Sequence, residues 1–83
     1  MAAESSASMF AIVLRHDEHI RRYAVYASPL SGWEATCEDD RHLTRQHYED
    51  WHRVERVLAV FKQEVSELTA SGWHVAGDES PSA

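Results

Sequence analysis

Six histidines in an 83-residue chain are the first place to look for chemistry. Imidazole is a common metal ligand and the side chain that titrates nearest neutral pH. Their spacing argues against a shared site. His42, His47 and His52 are each five residues apart, a rotation of about 140° on a helix and a change of face on a strand. His16 and His19 bracket Asp17 and Glu18 in a turn that brings two ligands together, but no third or fourth follows. Structural zinc sites in small proteins draw on cysteine pairs, and Cys37 is the only cysteine. Solvated surface histidines are the expectation, with histidine-based metal binding as an alternative, and no cofactor is implied.

Cys37 would need a neighbouring base and a lowered pKa to act as a nucleophile. It alternates with Trp33 and Ala35 on what reads as the core face of a strand, so a buried, unreactive thiol is expected. No serine stands in a Gly-x-Ser-x-Gly turn, and no glycine-rich phosphate loop or dinucleotide fingerprint is present. The acidic run Glu38-Asp39-Asp40 lacks the ligand spacing of a calcium loop and reads as a solvated strand end. Nothing here assembles a catalytic set, and the chain is read as a non-enzyme.

Seven of the eight cations are arginine, the other being Lys62. Such a bias fits the codons of a GC-rich bacterial genome. Arginine also recognises carboxylates and phosphates. Arg53 and Arg56 are three apart and share a helical side, with Arg45 nearby in sequence. These three are the candidate nucleic-acid or phosphate site. The net charge of −6 weighs against it, because dedicated nucleic-acid binders carry basic excess. The competing expectation is a solvated helix whose arginines pair with acids, Glu49 with Arg53 first.

The elements that must position these residues are legible. Met9 to Leu14 is a short apolar run, and Ile20 to Ala27 a second strand beyond the break at His16 to His19. Ser28 to Gly32 is turn chemistry. Trp33 to Glu38 alternates cleanly as a half-buried strand. Asp39 to Glu49 reads as a short fourth strand around His42 to His47 with loop, the alternative being an early extension of the helix that follows. Trp51, Val54, Leu58, Phe61, Val65 and Leu68 then fall on one helical face, widened by Val57 and Val60. Asp50 caps the start and Gly72-Trp73 closes the end, so a helix is predicted from Asp50 to Ser71. The fold class is α+β: a three- to four-stranded antiparallel meander with one long helix on one face.

The terminal segments 1–7 and 78–83 are short and polar and are expected to be disordered, leaving 8–77 as a single domain. A lone cysteine, no signal-peptide pattern and no apolar run of membrane length point to the cytoplasm and away from membranes. One helix covers only one side of a sheet, yet the first strand is apolar on both. Met9, Ala11, Val13, Tyr23 and Tyr26 are therefore the candidate interface, with the first strand as a candidate edge. The functional expectation is a non-catalytic protein-interaction module, a homodimer or a partner of another protein.

Overall fold

The computed structural model describes residues 8–78; the segments 1–7 and 79–83 lie outside the described residues. Strands β1 (Ser8–His16), β2 (His19–Ala27), β3 (Trp33–Glu38) and β4 (Leu43–Tyr48) precede the helix α1 (Trp51–Ala70), and β5 (His74–Asp78) follows it. The sheet is antiparallel with strand order β4-β3-β2-β1-β5. The α+β meander-plus-helix architecture is as expected, including the fourth strand. The fifth strand is the addition, and it takes Asp78 out of the expected tail.

Local chemistry makes each turn. His16 pairs with His19 across the β1–β2 turn, where Asp17 takes the left-handed conformation at φ 55°, one that aspartate tolerates better than most residues. In the β3–β4 turn Asp39 accepts from the backbone N–H groups of Arg41 and His42 at 2.9 and 2.8 Å. Asp40 reaches across to β2, accepting from the Ile20 N–H at 3.0 Å and bonding His19 at 2.5 Å. Asp39 and Asp40 of the acidic run thus fasten the turn.

The helix ends as its sequence dictates. Asp50 accepts from the His52 N–H at 3.0 Å. At the other end Trp73 N–H donates to Leu68 O at 3.0 Å and Gly72 N–H to Thr69 O at 3.2 Å, the paired bonds of a Schellman closure. Gly72 stands at φ 110°, as that closure requires. Trp73 then stacks on His16 at 5.5 Å, under the Arg21 guanidinium.

Val25, Ala35 and Val54 form the core, with Phe10, Trp33, Tyr48, Val57, Leu58 and Phe61 packed against it. The helix crosses this face as a diagonal. Trp51 meets Trp33 at one end of β3, with ring centroids 5.2 Å apart. Phe61 meets Tyr23 at 4.9 Å, and beyond the helix Trp73 reaches the far end of β1. A diagonal helix cannot roof all four corners of a five-stranded sheet. The corner at Cys37 and Thr44 stays open, and Val60, expected in the core stripe, remains 51% exposed beside it. Among the described residues no helix is long and apolar enough to cross a membrane.

Candidate functional site

The open corner is a groove of about 220 Å³. Ala35 and Cys37 of β3 and Thr44, Gln46 and Tyr48 of β4 form its floor; Val57, Val60 and Phe61 of α1 form its wall, with Arg56 at the rim. The register explains the floor. Cys37 pairs with Thr44, Ala35 with Gln46, and Trp33 with Tyr48, so these side chains share the helix side of the sheet. Beside the groove, beyond Tyr48, Arg56 and Val57, a second depression is lined by Asp50, His52 and Arg53. Arg53 and Arg56 therefore flank one continuous surface at the start of the helix.

Cys37 departs from expectation. It lies on the core face but is half-buried and lines the groove. Burial first, and then the Glu64 charge, push its thiol up, which leaves it protonated and weakly nucleophilic at neutral pH.

The arginine trio does not assemble. Arg45 pairs with Thr36 on the opposite face of the sheet, where it lies 3.9 Å from Glu34. Strand alternation forces this, since Thr44 and Gln46 take the helix side. Nor does Glu49 meet Arg53. It precedes the helix, and its carboxylate bonds His47 at 2.7 Å and the Ser31 hydroxyl at 3.2 Å.

The five candidate interface residues also separate. Tyr23 faces the helix, is 1% exposed and donates its hydroxyl proton to Glu64 at 2.9 Å, so it cannot belong to the far face. Ala11 and Val13 lie on that far face but are only 8% and 9% exposed. β5 pairs with β1 and makes it an interior strand rather than the expected edge. Met9, at an irregularity in the β1–β2 register, is 42% exposed. Tyr26 is half-buried and donates to Glu34 at 3.2 Å.

Most of the histidines find a carboxylate. His19 bonds Asp40 and His47 bonds Glu49, while His42 and His52 lie within 3.8 Å of Asp39 and Glu55. Among the described residues no three metal-ligating side chains come together. The hydrogen bond to Asp40 raises His19 above 6.5, and that to Glu49 does the same for His47. Stability from these protons is full below pH 6.5 and is lost as pH rises through the raised values. Asp40 and Glu49, lowered by the same bonds, add stability above their ordinary 3.8 and 4.5 that is lost as pH falls through the lowered values. Thermal melts should be highest between about pH 5 and 6.5, and His19→Gln with His47→Gln should flatten the alkaline decline. A melting temperature rising steadily from about pH 5 to 8 would contradict both pairs.

The groove escaped the sequence because its residues are split between two strands and the helix. Its one signal was an apolar helical stripe too broad at Val60 for the sheet beneath it. Compared with models of known families, with curated proteins and with solved structures, the chain matches none.

Proposed function

We propose that the protein is a non-catalytic interaction module of the bacterial cytoplasm that binds a segment of another protein along β4. The observation that supports this most is the juxtaposition of an open strand edge with an apolar groove. Among the described residues β4 ends the strand order, and five of its six residues are exposed. The groove lies directly between it and α1. Strand edges supply backbone bonding and adjacent pockets supply side-chain choice, the two ingredients of peptide recognition by strand addition. The raised thiol of Cys37 fits the non-catalytic part of the reading.

A random peptide library panned against the protein should return binders that compete with one another. All should be lost with Val60→Glu, a change at an exposed position that puts charge at the groove wall. An empty selection, or binders indifferent to Val60→Glu, would refute the reading.

The same free edge favours a second reading, a homodimer joined β4 to β4 across a two-fold axis. Sedimentation at micromolar concentration should then report twice the mass of the chain. A monomer would remove this second reading and leave the first.

A further inference from the structure

We infer that the segment bound along β4 is an acidic, extended one: it adds as a sixth strand, with a large apolar side chain in the groove and a carboxylate against Arg53 and Arg56. This rests on the interaction-module reading and specifies the partner.

The two edges of the sheet are not equivalent. β5 is five residues long, contains Gly77, and has a register irregularity opposite β1. β4 is six residues long and pairs with β3 without a break. Its outer backbone groups are a regular template, lacking the proline or bulge that protects edges. Arg45 is the only charged side chain on it at neutral pH apart from what His47 carries, and it points to the face away from the groove.

Size limits what can enter. At about 220 Å³ the groove is smaller than the roughly 300–1,000 Å³ of sites that hold a whole small molecule. It suits one large aliphatic or aromatic side chain, and its floor and wall are chiefly apolar. A strand beside β4 presents alternate residues to that side, about 6.6 Å apart. The residue two positions from the apolar anchor, towards the Tyr48 end, then reaches the Arg53–Arg56 surface.

Charge selects the second residue. Among the described residues neither arginine has a carboxylate within 4.0 Å. Asp50, which shares the depression, already caps the helix. The net charge of −6 opposes an acidic partner at long range, but charges beyond about 8 Å are screened at physiological salt.

In sequence, residues 1–7 and 79–83 contain one large apolar residue, Met1, with no acid two positions from it. A second copy's β4 would offer Thr44, Gln46 and Tyr48 on the groove side and no carboxylate.

The library selection supplies the test. Selected peptides should carry Asp or Glu two positions from a large apolar residue. In fluorescence polarisation at physiological salt, changing that acid to Lys should weaken binding about ten-fold or more. Arg56→Glu should do the same, and the two changes together should restore affinity. N-methylation of the peptide backbone should abolish binding at alternate positions and be tolerated between them, since a strand turns every second N–H to its neighbour. Bound peptide should also slow thiol-reagent labelling of Cys37. Groove-binding peptides that are basic or neutral, ignore Arg56→Glu, or show no alternation would overturn this inference and leave the module reading standing. The absence of any groove-dependent binder would overturn both.

Discussion

Tyr23→Ala should leave a protein largely unfolded at 37 °C. Tyr23 is among the largest fully buried side chains, at 1% exposure, and stands where sheet and helix meet. Its ring lies 4.9 Å from that of Phe61, and its hydroxyl donates to Glu64 while accepting from Arg21 at 3.3 Å. Truncating a buried aromatic costs about 3–5 kcal/mol. A core in a chain this short supplies roughly 3–5 kcal/mol in total, so the loss rivals the whole stability. Tyr23→Phe keeps the ring and forfeits only the polar contacts, about 1 kcal/mol. Denaturant unfolding followed by circular dichroism separates the three proteins. If Tyr23→Ala unfolds at the denaturant concentration of the parent, Tyr23 does not tie the layers together. Burial also pushes the Tyr23 phenol up from 10.0 to about 12. The folded chain thus keeps a proton that the unfolded chain releases. Stability from this source is full below pH 10 and falls as pH rises towards about 12.

Gly32→Ala should destabilise by about 2–4 kcal/mol, more than Gly72→Ala, though both glycines have positive φ. Gly32 stands at φ 72° in the β2–β3 turn, and a Cβ there would lie 2.3 Å from the Tyr48 carbonyl oxygen. That atom belongs to the backbone where β4 passes into α1. The turn and the helix start would have to move apart, straining the Ser31–Glu49 bond between them. At Gly72, φ 110°, the nearest atom is in the His16 ring at 3.4 Å, leaving mainly backbone strain. Thermal melts of both variants test the order, and equal losses would mean that the turn does not brace the junction. Tyr48 also ends the groove, so Gly32→Ala should weaken peptide binding even where the protein stays folded.

Elements with a local signal are legible from the residues alone. The helix and its limits follow from the Trp51-to-Leu68 periodicity, the Asp50 cap and the Gly72-Trp73 closure, all set within a few residues of where they act. The first three strands follow from apolar runs, alternation and turn residues. Leu43 and Tyr48 differ in parity along β4, and only Tyr48 turns to the helix. Tertiary structure decided the rest. His74 to Asp78 carries no strand pattern of its own and is a strand because β1 offers it a paired edge. That pairing makes β1 an interior strand rather than an edge. Strand parity and register put Arg45 behind the sheet and Tyr23 before the helix, undoing groups drawn from nearness in sequence. The groove exists because α1 crosses from the Trp33 end of β3 to the far end of β1. No local pattern encodes that crossing angle, which comes from how side chains distant in sequence interlock.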